Sequence, residues 1–596
     1  MVDANPAQTH VSKSGATYWF TGLSGAGKST LSEALKKKID VITGDSSKCF
    51  ILDGDVIRTG LNKGLGFSEA DRAENIRRIN EVSKLFNMAG VIVFVAFISP
   101  YANARDLAKA SHAESKLPFF ECHISASLEV CEGRDVKGLS QKARAGEIKN
   151  FTGISDPYEE PKNPELNVNT GEQTLDQSVA FVLKHMEENN ILAKKSSAKI
   201  YESLIREASA EEAAAAAELP SIDLDIHQVQ YLQTISEGWA YPLTGFMNEL
   251  QLVESMHMKT VTDANGVAHL LSVPITQHVT TEQKEALTGK PAVALKCSKI
   301  SDKVLAVIHK PTFFANRKEE ICARTFGCFS VKHPKSETIF AQGDWLISGE
   351  STRFFERIKY NDGLDKYRML PREIHEEMQK RGADAVYGFQ VRNPLHNGHC
   401  LLLKDTREQL IKAGYKNPVL LLHPLGGWCK DDDVPLDTRM FQHQALIDDG
   451  TLPAEHIVLA VWPSPMYYGG PTEVLWHASS RVGCGLTHFI TGRDPAGVGH
   501  PEKGGDLYDV WHGQKLLVHM KGMLNGVDVL PFKVAAYNKA TQAMEFFPGP
   551  QAPNAADFDF ISGSRMRATA KAGENMPPGF MSQKGWEVLA AYYKNL

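Results

Sequence analysis

The sequence predicts an α/β protein, and three stretches carry the prediction. The first is Gly22-Leu-Ser24-Gly25-Ala26-Gly27-Lys28-Ser29-Thr30, set between the extended run Thr17–Thr21 and an amphipathic run through Lys38. Strand, glycine loop and helix in that order are what a phosphate-binding loop requires. The second is the unbroken apolar run Val91–Ile98, which reads as a central parallel strand covered on both faces. The third is Ala385–Phe389, an apolar strand leading into Gln390-Val391-Arg392-Asn393-Pro-Leu-His396-Asn-Gly-His399 and then a leucine-rich helix. Between the second and third lie short β-branched runs broken by turn residues, a β-rich pattern.

The chain's 596 residues exceed one core, and a prior of about 150 residues per domain gives about four folding units. With 42% hydrophobic and 23% charged residues the composition excludes wholesale disorder. A net charge of −6 supplies no field for nucleic acid, so phosphate chemistry must rest on local clusters of cations and backbone amides. Nine scattered cysteines without a CxxC pair fit a reducing compartment. No run has the length of a membrane helix, and Met1–Ala16 has neither an apolar nor an Arg-rich targeting pattern. A cytoplasmic location is expected, with nuclear or organellar addresses left open, and neither membrane nor nucleic acid is expected as a partner.

In the first segment, 1–195, Lys28 is placed to reach the β and γ phosphates of a nucleoside triphosphate and Ser29 to ligand Mg²⁺, with the helix N-terminus adding partial positive charge. The apolar strand Cys49–Leu52 ends in Asp53-Gly-Asp55. Strand C-termini line the ligand crevice of an α/β sheet, so one carboxylate would help hold hydrated Mg²⁺ and the other accept a hydroxyl proton. Ser68 is the expected N-cap for a helix carrying Arg72, Arg77 and Arg78, guanidinium groups that either meet oxyanions or solvate a helix face. A basic, glycine-punctuated stretch from Cys131 through Arg134, Lys137, Lys142, Arg144 and Lys149 has the composition of a lid.

Segment 196–221 contains Ala208–Glu218, low in complexity and high in helix propensity, and reads either as a semi-rigid connector or as a helix packed on a neighbour. Segment 222–365 holds Leu271–Ile275, Ala292–Leu295 and Val304–Ile308 and reads as a β-rich support domain. In segment 366–596, His396 and His399 stand at a helix start at i, i+3, suited to donating hydrogen bonds to a phosphate there; a metal site with Cys400 is the other reading. A strand ending Thr491-Gly492-Arg493-Asp494-Pro495-Ala496, with Val529–Val534 and Ile561–Arg567, adds further strand ends to one nucleotide pocket, while Asp431–Asp433 reads as a solvated loop.

These motifs resemble known families. The P-loop, Asp53–Arg58, Leu65 through Asn75, Phe97–Pro100 and Asp135 through Ile148 resemble adenylylsulfate (APS) kinase. The resemblance implies ATP on Ser24, Gly25, Ala26, Gly27, Lys28, Ser29 and Arg134, and APS against Asp55, Val56, Ile57, Arg58, Phe67, Arg72, Ala73, Glu74, Asn75, Ile98, Ser99, Lys137, Asn150 and Phe151. It implies metal at Ser29 and Asp53. Ala104 and Lys109 stand where the family has other residues, and Asn150 where it has glycine, so altered affinity is expected. Segments 222–365 and 366–596, through Trp239–Phe246, Asn316–Glu320, Gly343–Trp345, Gln390–His399, Leu422–Gly427, Pro463–Met466 and Phe489–Gly497, are similar to ATP sulfurylase. The similarity implies a PUA-like domain followed by a Rossmann-like HxxH nucleotidyltransferase domain with a C-terminal lobe. That similarity implies ATP and sulfate on Gln390, Val391, Arg392, Asn393, His396, His399, Gly492, Arg493, Asp494, Pro495, Ala496 and Val534. Kinase followed by sulfurylase resembles the bifunctional 3′-phosphoadenosine 5′-phosphosulfate (PAPS) synthase family. It implies sulfate activation in two steps, with Mg²⁺-ATP, sulfate, APS and PAPS as ligands and a homodimer as the assembly; a sulfurylase carrying a regulatory kinase-like module is the alternative. The catalytic set expected is Lys28, Asp53, Asp55, Arg392, His396, His399 and Arg493.

Overall fold

The computed structural model describes residues 15–43, 46–66, 68–135, 138–148, 151–192, 200–531, 533–561 and 563–595. The chain divides into two compact units, Met1–Ser196 and Ser197–Leu596.

In the first unit, β1 (Thr17–Thr21), β2 (Cys49–Asp53), β3 (Ile92–Ala96), β4 (Phe119–Ser125) and β5 (Leu166–Asn169) form a parallel sheet in the order β2-β3-β1-β4-β5. Every residue of β1 and β3 is buried, which is why both read as apolar runs without alternation. The order reverses direction at β1, so the crevice at the C-terminal ends of the central strands is where a ligand fits an open α/β sheet. Helices α1 (Lys28–Thr43), α2 (Gly54–Thr59), α3 (Glu69–Met88), α4 (Ala102–Glu114), α5 (Leu128–Arg134), α6 (Leu139–Arg144) and α7 (Leu175–Glu188) complete it. Ser68 caps α3, its hydroxyl accepting from Asp71 N, as the sequence predicts.

The second unit contains two larger sheets. One is mixed, ordering Ser221–Asp223, Ala292–Cys297, Ser301–Ala315, Trp345–Phe354 and Gln277–Val279. The expected strand Leu271–Ile275 is instead a buried connection outside any ladder. Pro274 has no N–H to give, and the carbonyls of Val273 and Ile275 accept from Ser255 Oγ and Met247 N. The alanine-rich stretch is a helix, Ala210–Ala217, capped by Ser209, whose Ala216 is buried against Ala292, Ala294, Val307 and Phe355. Of the two readings the sequence left open, the packed helix describes it.

The other sheet is parallel, ordering Ile457–Leu459, Pro418–Pro424, Ala385–Val391, His488–Thr491 and Asp528–Pro531. Its topological switch lies between Ala385–Val391 and His488–Thr491, so Gln390–His399 and Gly492–Ala496 leave adjacent strand ends. Ile561–Arg567 does not add a strand end: Arg565 and Arg567 belong to the helix Gly563–Lys571, and Arg565 pairs with Asp559 at 2.6 Å. That helix and the terminal helix Gln583–Lys594 pack a separate small core around Trp586 and Leu589.

Candidate active sites

The first site is a cleft of about 970 Å³ at the C-terminal edge of the β1–β5 sheet, at the upper end of ordinary ligand pockets. The glycine loop forms one wall. Gly25 and Gly27 lie at φ +85° and +94°, and a Cβ on Gly25 would stand 2.7 Å from the Cys131 carbonyl oxygen, so neither position takes a side chain without strain. Lys28 is nearly buried, and its Nζ donates to the carbonyls of Gly22 and Leu23 at 2.8 and 2.7 Å. Ser29 Oγ donates to Asp53 Oδ2 at 2.5 Å, while Asp53 Oδ1 accepts from Asp55 N at 2.9 Å. Two oxygen donors are thereby set side by side at the helix N-terminus, a donor set that suits Mg²⁺. Ser24, Asp55 and Arg134 share this wall. Buried Ala26 acts through its carbonyl, which accepts from Thr170 Oγ1 at 2.7 Å, and Arg134 reaches Thr170 O at 2.6 Å.

The rest of the cleft is lined by Arg58, Arg72, Asn75, Ile98, Ser99 and Phe151. On α3 the residues at Arg72, Asn75, Ile76 and Ile79 are buried together, the i, i+3, i+4, i+7 face of a helix. That spacing sorts the arginines. Arg72 enters the cleft wall and meets Thr152 and Asp156, whereas Arg77 and Arg78 turn to Glu74. Glu74 is so occupied, and neither it nor Ala73 lines the cleft; nor do Val56, which is exposed, and Ile57, which packs against the core. Burial and then the neighbouring Arg72 cation hold the Arg58 pKa below its ordinary value, an arrangement that favours an anion between them. Ser99 holds φ +45°, with Trp19 Nε1 donating to its hydroxyl at 3.0 Å and Arg105 Nη1 to its carbonyl at 2.6 Å. Such strain persists where surroundings over-determine it, typically at a ligand site. Lys109 pairs with Glu165, so that departure from the family pattern is tied up in an ion pair. Phe67, Lys137 and Asn150 lie outside the described residues.

The second site gathers at the parallel sheet of the second unit. His396 is the N-cap of the helix Asn397–Lys412, its Nδ1 accepting from Gly398 N at 3.1 Å, and His399 Nδ1 accepts from His396 N at 3.3 Å. The ring centroids are 4.0 Å apart. Because both Nδ1 atoms accept, both neutral rings carry their proton on Nε2 and present it as a donor. Burial holds both pKa values down, His396 well below the ordinary value and His399 at about 4. The kcat/KM profile of the first step is therefore expected to show no inflection near pH ~6.5, the ordinary histidine value. Stability behaves differently. Between about 6.5 and about 4 the unfolded chain binds protons that folded His399 refuses, so its contribution is full above that window and lost as pH falls through it. Denaturant melts across this range check the sign.

Gln390 and Arg392 leave the strand Ala385–Val391 with Gln390 Nε2 and Arg392 Nη1 buried and without a partner, a costly state for two neighbouring donors unless an acceptor is meant to meet them. Val391 itself is spent on the sheet, its carbonyl accepting from Leu425 N. Asp494 sits at φ +49°, close to Arg392 and Arg493, and burial and Asp506 raise its pKa. Ala496 O accepts from Gly470 N at 3.0 Å. Gly492 is buried and Pro495 half-buried, Asn393 and Arg493 are exposed, and Val534 is half-buried beyond the strand Asp528–Pro531. The solvated-loop reading of Asp431–Asp433 is corrected for Asp433: its side chain is 6% exposed and lies 3.9 Å from Arg392 Nε.

Sequence reasoning missed several members. Thr170 follows β5 and was findable as one more strand end. Gln442, which both accepts from Leu395 N and donates to Leu395 O, and the neighbouring buried His443 fix the loop before His396. Buried Arg439 ties the Val434 and Leu425 carbonyls at 2.8 Å each. All three lie on the helix Leu436–Asp448, where no local pattern marks them.

A P-loop phosphotransferase site and an HxxH nucleotidyltransferase site on one chain define a two-site, ATP-using transferase. Residues 14–169 match the adenylylsulphate kinase family, 193–354 a PUA-like domain and 365–592 the ATP-sulfurylase family. The probable bifunctional SAT/APS kinase 2 of Sorangium cellulosum is 34% identical over 598 residues, covering 95% of this chain and 97% of that protein. ATP sulfurylase 2 of Arabidopsis thaliana is 46% identical over 379 residues, 63% of this chain and 78% of its own length. The adenylyl-sulfate kinase of Oceanobacillus iheyensis is 50% identical over 177 residues, 30% of this chain and 86% of its own. The chain belongs to the bifunctional sulfate adenylyltransferase/adenylylsulfate kinase family. It activates sulfate in two steps: ATP and sulfate give APS and pyrophosphate, then APS and ATP give PAPS and ADP.

Proposed function

We propose that the two steps run on the residues named above. In the first, a sulfate oxygen attacks the ATP α-phosphorus and the bond to pyrophosphate breaks. Sulfate is already a dianion, so the step needs neither a base nor a covalent nucleophile; it needs charge neutralised and partners aligned. Gln390 and Arg392 take the sulfate, Asn393, the Gly492–Ala496 turn and Val534 take the nucleotide, and the Nε2–H groups of His396 and His399, with Arg493, stabilise the phosphates as charge moves to the leaving group. The observation that carries this reading is the pair of buried, unpartnered donors on Gln390 and Arg392 beside two histidines fixed as donors.

In the second step the APS 3′-hydroxyl attacks the γ-phosphorus of ATP. Lys28 and the loop amides bear the phosphates, Asp55 accepts the hydroxyl proton, and Arg58, Arg72, Asn75 and Phe151 hold APS, with Phe67, Lys137 and Asn150 assigned by resemblance. Ser29 and Asp53 would hold Mg²⁺, which when bound would supply charge neutralisation for the phosphates. A homodimer rests on the family resemblance, and a cytoplasmic address on nine cysteines that are all free thiols. Among the described residues no helix is long and apolar enough to cross a membrane.

Radiolabelled sulfate incubated with the full chain, ATP, Mg²⁺ and pyrophosphatase is expected to appear in APS and then in PAPS. Arg392→Ala is expected to keep label out of both nucleotides while added APS is still phosphorylated; label entering APS at the normal rate in that variant would remove Arg392 from the sulfate site.

A further inference from the structure

Tyr468 is fully buried yet holds φ +54°, a backbone conformation that a bulky aromatic rarely adopts. The surrounding groups fix it there. Its carbonyl accepts from His333 Nε2 at 3.1 Å and from the Tyr508 hydroxyl at 2.9 Å. On either side, Tyr467 N and Gly469 N donate to the two oxygens of Glu473 at 2.8 and 3.0 Å.

The strained conformation delivers the side chain to Arg392. The guanidinium carbon of Arg392 lies 5.0 Å from the Tyr468 ring centroid. The Tyr468 hydroxyl donates to Asp433 Oδ2 at 2.7 Å and accepts from Lys430 N at 2.8 Å. Asp433, nearly buried, in turn lies 3.9 Å from Arg392 Nε. The guanidinium is thus held on one face by a ring and near Nε by a carboxylate whose own place is set by that ring's hydroxyl. Nη1 remains buried and without a partner. An arginine side chain has several rotatable bonds, and a planar fork recognises a tetrahedral oxyanion only when its plane is fixed.

We propose that Tyr468, acting with Asp433, is a positioning residue that fixes the Arg392 guanidinium for the incoming sulfate dianion, a proposal that rests on Arg392 being the sulfate ligand. The left-handed turn at Tyr468 exists to present the ring, and the contact serves sulfate rather than ATP.

The test is steady-state kinetics of APS formation by the full chain, varying sulfate and ATP separately, with phosphorylation of added APS and the thermal midpoint as controls for folding. Tyr468→Leu is expected to raise the KM for sulfate about ten-fold and leave the KM for ATP within about two-fold. Tyr468→Phe keeps the ring and loses the hydroxyl, and a smaller rise of about three-fold is expected. In an Arg392→Lys background Tyr468→Leu is expected to add no further rise, because both changes act through one guanidinium. An unmoved sulfate KM in Tyr468→Leu, or KM values for sulfate and ATP rising together, would overturn the proposal. If Tyr468→Leu does not fold, Tyr468→Phe and Asp433→Asn decide it by the same split. Arg392→Lys with a normal sulfate KM would instead overturn the assignment of Arg392, a result distinct from the failure of Tyr468.

Discussion

Lys28→Ala is expected to leave APS formation intact and lower the kcat of APS phosphorylation on the order of 10³-fold, so that label from sulfate accumulates in APS. The size follows from what the reaction asks of the protein. A phosphoryl group in flight offers little covalent chemistry, and catalysis is positioning plus stabilisation of charge on the transferring oxygens. Lys28 is the cation at the mouth of the glycine loop, nearly buried and already oriented by the Gly22 and Leu23 carbonyls, so little reorganisation is needed to turn it onto a phosphate. Lys28→Arg restores the charge on a larger planar group, and partial recovery at best is expected because the loop closes around a point charge. Single-turnover phosphorylation of added APS separates the chemical step from product release. A Lys28→Ala chain that converts APS to PAPS within ten-fold of the normal rate would remove this lysine from the catalytic set.

How much of this was legible in the sequence depended on whether backbone or side chain did the work. The glycine loop was legible because amides can turn onto phosphate only where a Cβ is absent, and φ values of +85° and +94° at Gly25 and Gly27 show the constraint the spacing encodes. The HxxH pair was legible for a similar reason: His396 and His399 are the cap and third residue of one helix, a separation fixed within four residues. Arg72, Arg77 and Arg78 stayed together in the sequence, where either role was open to each; that Arg72 enters the cleft wall while the other two turn to Glu74 needed coordinates. Asp433 was misread because nothing in three successive aspartates says which one meets a tyrosine 35 residues later. Arg439 and Gln442 were invisible for a similar reason, since their partners are backbone groups of loops, Val434 and Leu425 for the one and Leu395 for the other, that no side-chain pattern marks. Leu271–Ile275 failed in the opposite direction: burial alone makes an apolar run look like a strand, and the hydrogen bonds that would make it one go elsewhere.

His396→Asn is expected to lower the kcat of APS formation by about 10²- to 10³-fold while phosphorylation of added APS stays normal. Asparagine is the informative replacement. His396 does two things at once: its Nδ1 caps the helix by accepting from Gly398 N, which leaves the ring proton on Nε2 as a donor. Alanine removes both and would cost about 1 kcal/mol of stability through the cap alone, whereas asparagine is among the best N-caps and keeps that contribution. Its amide is shorter than an imidazole, so the donor to the phosphate is lost. His399 is coupled to the same event, since it accepts from His396 N and its ring lies against that of His396. The double variant His396→Asn/His399→Asn is therefore expected to fall well short of the product of the two single effects. Full multiplicativity would mean that the two imidazoles act on the leaving pyrophosphate independently, and a His396→Asn chain within ten-fold of the normal rate would leave His396 as a helix cap only.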